Sequence, residues 1–332
     1  MSSKMDDINN NDISNENGTI SYMHKNPLIN NYYEYISPWS NVLSSKSYTF
    51  PFETNENIEK LTNQLEEKNN EVKKLREELK IKGKNDELLN EIRKKEEEQR
   101  KILELKYLLA RLHPMAPSIL LEPDNKVLLD FSKNESMEMT VMSIDIRKST
   151  ELMLKAITPD MYAMFISGLT EGLKSIVVNN FGVFDKFTGD GILAYFPTFY
   201  SGENGILNCC IVSQKCHDFF NNFYKNYYDY FSVVLDTGLG IGIDYGMVKI
   251  VEINKEQTIV GTSVVYACRL SGAPAGKTYL NRTAHKNIAK YGINSKELKM
   301  NIKNEGTIIV YELEKIIEET ISIPYWAKKE IN

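Results

Sequence analysis

The chain has 332 residues, 42% of them hydrophobic and 26% charged, enough for one globular domain of roughly 150 to 200 residues with a substantial segment beside it. A formal net charge of −5 argues against a protein that works by coating nucleic acid or an anionic membrane, so a polyanionic ligand must be met by local chemistry, with metal as a natural helper. The four cysteines, Cys209, Cys210, Cys216 and Cys268, show no pair of CxxC spacings, and three fall in one apolar helical stretch, which argues against a disulfide framework or a cysteine metal site.

Residues 1–56 are rich in Asn, Ser, Asp and Glu without a sustained period, and are expected to be a mostly disordered tail. The first residues lack a charged-then-apolar signal pattern, and no apolar run approaches the roughly 18 residues that span a bilayer, so the expected location is cytoplasmic. Over residues 57–112, Ile58, Leu61, Leu65, Val72, Leu75 and Leu79 recur in steps of three and four, with Lys68 filling one position of the seam. That pattern predicts a coiled-coil dimerisation helix, with a solvated single helix as the alternative. Gly83 marks a break or stutter, after which Leu89, Ile92, Ile102, Leu105, Leu109 and Leu112 resume less regularly. Pro114 and Pro117 end the helix and open a linker over residues 113–136.

Residues 137–320 read as a compact domain. "MTVMSIDI" predicts a buried strand, residues 159–179 an amphipathic helix, and "GVFDKF" with "GILAYF" a hairpin joined by "TGD". A helix over about 202–226 follows. "LGIGIDYG" and "MVKIVEI" suggest a second hairpin, "SVVYACRLSGA" a helix, "KTYLN" a strand, "RTAHKNIAKY" a helix and "TIIVYEL" a closing strand, with 321–332 left as a C-terminal tail. The expected class is α+β, a mostly antiparallel sheet with packed helices.

Asp145 ends an apolar strand ahead of the polar turn "IRKST", and Asp190 lies in the hairpin turn. Two carboxylates at strand ends can share a site and hold divalent cations through oxygen ligands. Singly, each has a plainer reading: Asp145 as a cap and Asp190 as a turn former before Gly191.

"MTVMSIDIRKST", "FDKFTGDGILAYF", "LGIGIDYG" and "VGTSVVYACRL", in this order and spacing, resemble the catalytic domain of class III nucleotidyl cyclases, the adenylyl and guanylyl cyclase family. The resemblance covers roughly residues 137–314 and implies a ferredoxin-like cyclase domain preceded by the coiled-coil helix. It makes Asp145 and Asp190 the ligands of two divalent cations, Mg or Mn, and directs the backbone of Ile146, Arg147, Lys148, Ser149 and Thr150 at phosphate. Lys186 and Thr258 match the base-recognition pair. Arg269 matches the arginine that stabilises negative charge on the transferring phosphoryl group, and Lys303 matches a terminal-phosphate lysine in a loose local context. The family usually carries Asn four residues before that arginine to orient the ribose, whereas this chain has Val265, which cannot make such a hydrogen bond.

"DIRKSTELMLKA", "GVFDKFTGDGILAYFP", "FYSGE" and "VVYACRLSGAPAGKTYLN" are together similar to the bacterial pyrimidine cyclases of antiphage defence. That similarity implies conversion of UTP or CTP to a 3′,5′-cyclic monophosphate, read by a separate cyclic-nucleotide-binding effector. It also implies a homodimer with composite sites, the aspartates from one chain and Lys186, Thr258 and Arg269 from the other. No nucleic acid or membrane partner is expected. A purine cyclase and an inactive nucleotide-binding dimeric scaffold are the alternatives.

Overall fold

The structure is a computed structural model, described here over residues 56–331 apart from 83–85, 118–125, 134, 234, 254–255, 303–305 and 318–319. Residues 1–55 of the expected N-terminal tail, Gly83 and Lys303 lie outside the described residues.

The segment expected as a coiled-coil helix with a break or stutter at Gly83 forms two helices, α1 (Glu56–Lys82) and α2 (Asp86–Leu109), packed against each other within the chain. Lys68 pairs with Glu98 at 3.0 Å and Glu71 with Lys95 at 2.8 Å, pairings that fix an antiparallel arrangement. Leu61, Val72, Leu88 and Ile92 are buried in this hairpin or at its base. The heptad-like spacing specifies an apolar stripe but not which helix covers it, and here the cover comes from the same chain. Lys68, the polar interruption of the seam, has carboxylate partners on both helices. At the base, Leu61, Leu108, Leu109, Leu112 and Ala116 join one apolar cluster with the sheet residues Met139, Val141, Tyr195, Val248 and Ile250.

A short helix, α3 (Lys126–Ser132), leads into β1 (Ser136–Arg147). Then come α4 (Ser149–Lys155), α5 (Pro159–Asn179), β2 (Val183–Phe187), β3 (Gly191–Pro197), the single turn α6 (Thr198–Ser201) and α7 (Gly205–Lys225). β4 (Gly238–Ile253), β5 (Glu256–Val260), α8 (Thr262–Leu270), β6 (Lys277–Leu280), α9 (Arg282–Ile288), β7 (Ser295–Ile302), β8 (Gly306–Leu313) and α10 (Tyr325–Ile331) complete the chain. The sheet runs β2-β3-β1-β4-β6-β8-β7, with β5 paired to β4, and among the described strands only β4 and β6 pair in parallel. Strand, helix, hairpin, helix, strand is the ferredoxin-like order, and the mostly antiparallel α+β expectation holds.

Thr158 caps α5 by accepting from Met161 N, with Pro159 in the first turn where no N–H is needed. α5 is long and apolar enough to cross a membrane by length and composition, contrary to the expectation that no run approaches that length. Its Phe165, Leu169, Leu173 and Val177 are nevertheless fully buried against the domain, as in a core helix.

Three expectations change. "GLGIGIDYGMVKIVEI" is one sixteen-residue strand, β4, whose hairpin partner is β5. Residues 295–302 form a strand opposite β8. The supposed C-terminal tail carries α10, whose Trp326 donates to Tyr200 O at 2.6 Å and stacks on the Tyr200 ring. His113, which follows α2, stacks on Phe181 at 4.7 Å, its Nδ1 accepts from Met115 N, and burial lowers its pKa to about 4.

Candidate active site

The first group of functional residues sits at the end of β1. Asp145 faces Gly191 on one side and Gly240 on the other. A Cβ on Gly191 would lie 1.9 Å from Ile144 O, so only glycine lets β3 start this close to β1. That close start brings the Asp190 turn to Asp145. Burial pushes the Asp145 carboxyl pKa up, and the neighbouring Asp190 charge adds to the rise. Arg147 Nη1 opposes it, bonding Asp145 Oδ2 at 2.5 Å, and Ser149 Oγ donates to Asp190 Oδ2.

Two carboxylates that repel one another at a half-buried strand end, with one arginine in partial compensation, are a hard-oxygen donor set with charge to spare. They fit Mg or Mn, with the remaining ligand positions left to water and phosphate oxygens. Among the described residues there is no group of three or more His, Cys, Asp or Glu side chains that could hold a metal ion.

The expected phosphate-facing turn divides in two. Ile146 and Arg147 still belong to the β1 ladder, opposite Leu239 and Gly238. Lys148 is left-handed at φ 63°, Thr237 Oγ1 donates to Arg147 O, and Ser149 and Thr150 open α4. The turn proper is therefore Lys148–Thr150.

The second group joins β2 to β5. Lys186 Nζ donates to Thr258 Oγ1 at 2.9 Å, so the expected pair is in direct contact. Sequence reasoning missed the third member, Asp185. The register of β2 shifts between Phe184 and Lys186, and this bulge turns Asp185 toward β5. There its Oδ2 accepts from Thr258 Oγ1 at 2.8 Å and its Oδ1 from Ile259 N at 3.2 Å. Asp185 is wholly buried; burial raises its pKa, opposed first by the Thr258 hydrogen bond and then by the Lys186 and Arg111 charges. Its position beside Lys186 in "FDKF" was the one available signal.

α8 carries Val265 and Arg269, one turn apart on one face. Gly242 sets this helix against β4: a Cβ there would lie 2.1 Å from Ala267 O. Val265 is exposed, and the Arg269 guanidinium lies 5.7 Å from the Tyr266 ring centre.

No family model and no curated protein matches the chain. Among solved structures, the adenylyl cyclase CyaB from P. aeruginosa is 18% identical, with 56% of this chain and 99% of that one covered and a TM-score of 0.51. The fold is that of a class III nucleotidyl cyclase domain. The guanylyl cyclase Cya2 is also similar, at 16% identity, 58% and 96% coverage and a TM-score of 0.49. So is the guanylate cyclase domain of RhGC from Catenaria anguillulae in complex with GTP, at 18% identity, 54% and 98% coverage and a TM-score of 0.45.

Proposed function

We propose that the protein is a homodimeric pyrimidine nucleotide cyclase that converts UTP or CTP to the 3′,5′-cyclic monophosphate and pyrophosphate. The observation that carries this reading is the coincidence, on a cyclase fold, of the paired Asp145 and Asp190 with a hydrogen-bonded Lys186–Thr258 couple.

Asp145 and Asp190 would hold two divalent cations, Mg or Mn, which when bound would neutralise triphosphate charge and acidify the ribose 3′-hydroxyl. Lys148, Ser149 and Thr150 line the phosphate side. Lys186 and Thr258 orient the base. Arg269 presents a fork of donors to charge developing on the phosphoryl group. In the reaction the 3′-oxygen bonds to the α-phosphorus, the bond from that phosphorus to the bridging oxygen breaks, pyrophosphate departs and the hydroxyl proton passes to solvent. Val265 leaves the ribose without the usual amide contact, in keeping with the resemblance to pyrimidine cyclases.

Exposed apolar side chains accompany both parts of the site, with Val265 beside Arg269 and Met153, Leu154 and Ile157 on or just after α4. This supports a second protomer covering them and completing composite sites, the aspartates of one chain facing Lys186, Thr258 and Arg269 of the other. The product would serve as a cytoplasmic second messenger in antiphage defence, read by a separate effector. Identification of the cyclic product made from each ribonucleoside triphosphate tests the reading. Cyclic CMP or UMP supports it, cyclic AMP or GMP replaces it with a purine cyclase, and nucleotide binding without product replaces it with a scaffold.

A further inference from the structure

We infer that Asp185 and Arg111 are positioning residues for base selection: Asp185 fixes Thr258 as a hydrogen-bond acceptor toward the base, and Arg111 holds β2 and β5 together so that it can. The inference rests on reading Lys186 and Thr258 as the base-recognition pair.

A threonine hydroxyl has one hydrogen and two lone pairs. In Thr258 the hydrogen goes to Asp185 Oδ2, and one lone pair accepts from Lys186 Nζ. Asp185 Oδ1 is taken by Ile259 N–H, so both carboxylate oxygens act as acceptors and the Thr258 proton cannot turn toward a ligand without stranding a buried carboxylate oxygen. Thr258 therefore offers a base only a lone pair, while the half-exposed Lys186 ammonium keeps donors to spare. An acceptor beside a donor reads a base edge with a donor beside an acceptor. Uracil presents this as N3–H next to O4 or O2, and cytosine as the N4 amine next to N3.

Arg111 ties the two strands together from outside the sheet. It follows α2, is buried, and its backbone oxygen accepts from Phe184 N at 3.0 Å, one residue before Asp185. Its Nη1 donates to Gln257 O at 2.6 Å, one residue before Thr258, and its guanidinium lies 3.9 Å from the Tyr107 ring centre. One residue thus bridges the strand that carries Asp185 and Lys186 to the strand that carries Thr258. The same charge compensates the buried carboxylate.

Asp185→Asn tests this. With its oxygen kept by Ile259 N–H, the new amide NH2 faces Thr258, whose own proton is released toward the base. The pair then favours two adjacent acceptors, N3 and O2 of cytosine. We expect the CTP-to-UTP ratio of kcat/KM to rise about tenfold from its wild-type value, and this rise to vanish when Thr258→Ala is added. An unchanged ratio, or an equal change with and without Thr258, overturns the inference. Arg111→Lys, which keeps the charge but loses the fork, should raise KM for the nucleotide about tenfold, with kcat within about threefold and inhibition by inorganic tripolyphosphate unchanged. A loss shared equally by tripolyphosphate would mean a structural role only. If Asp185→Asn does not fold, the Arg111→Lys outcome decides. If the wild-type protein makes no cyclic product, the cyclase reading fails, and the CTP-to-UTP ratio of Kd in the same variants decides this inference separately.

Discussion

Thr258 Oγ1 lies 2.8 Å from Asp185 Oδ2 and 2.9 Å from Lys186 Nζ, so one hydroxyl links a buried carboxylate to an ammonium that reaches solvent. The link crosses from β2 to β5, whose sequences are more than seventy residues apart. It gives the domain a polar point distinct from the carboxylate pair at the end of β1, and on the proposed reading this is where the base is read.

On the proposed reading Asp145 and Asp190 would supply the charge that draws cations to the site. Asp145→Asn and Asp190→Asn should each lower Mn-supported turnover by at least about a hundredfold, with circular dichroism and oligomeric state unchanged, because both side chains lie at a strand end or turn. Substantial residual turnover in either variant contradicts the assignment.

Composite sites predict complementation. An Asp190→Asn protein mixed with an Arg269→Ala protein forms heterodimers that keep one intact site, so activity should recover toward a quarter of wild type at equal mixing, by random pairing. Absence of recovery in demonstrated heterodimers argues for sites built within one chain.

The helical hairpin makes its own prediction. In a Cys268→Ser background, which removes the exposed native thiol, Glu71→Cys with Lys95→Cys should oxidise to a disulfide within one chain, seen as faster migration without a dimer band. A parallel coiled coil between chains would instead give a covalent dimer from Lys68→Cys alone, because that seam position would face its own copy.

Much of the sheet can be read from alternation and turn residues: β1, the β2–β3 hairpin, β6 and β8 follow the expected strands, and α5 spans the expected residues 159–179. β4 misled because Gly246 looks like a turn residue. In the fold a Cβ there would lie 2.6 Å from Ser263 Oγ, so this glycine serves close packing of α8 and not a change of direction. β7 was missed because "SKELKMNI" alternates exposed polar residues with mostly partly buried ones, an edge strand with little apolar signal. The candidate site was legible where a motif is local, as for Asp145, Asp190 and Lys186. Asp185 and Arg111 act through partners distant in sequence, and no spacing rule reveals a bulge or a bridge between strands.

Asp244 sets a pH dependence of stability. It is buried in β4, accepts from Asn281 Nδ2 at 2.6 Å, and burial raises its pKa to about 7 despite hydrogen bonds from Ser263 and Tyr245 N–H. Between about pH 4 and 7 the folded state then holds a proton that the unfolded chain releases, so this residue's contribution falls as pH rises through that window and is flat above it. His113 and His217, both lowered to about 4 by burial, act oppositely, since the unfolded chain binds their protons between about pH 6.5 and 4. Asp244→Asn should therefore gain stability relative to wild type on going from pH 5 to pH 8, by roughly 2 to 4 kcal/mol. Chemical denaturation at the two pH values measures it, and an equal difference at both contradicts the burial argument.

Substrate choice is tested most directly by competition. The purified protein is incubated with equimolar ATP, GTP, CTP and UTP and Mn, and the cyclic products are quantified by mass spectrometry. Cyclic UMP or cyclic CMP should exceed the purine products by at least about tenfold, a transition-state preference of roughly 1.4 kcal/mol. A pool led by cyclic AMP or cyclic GMP would contradict pyrimidine selection while leaving the cyclase fold in place.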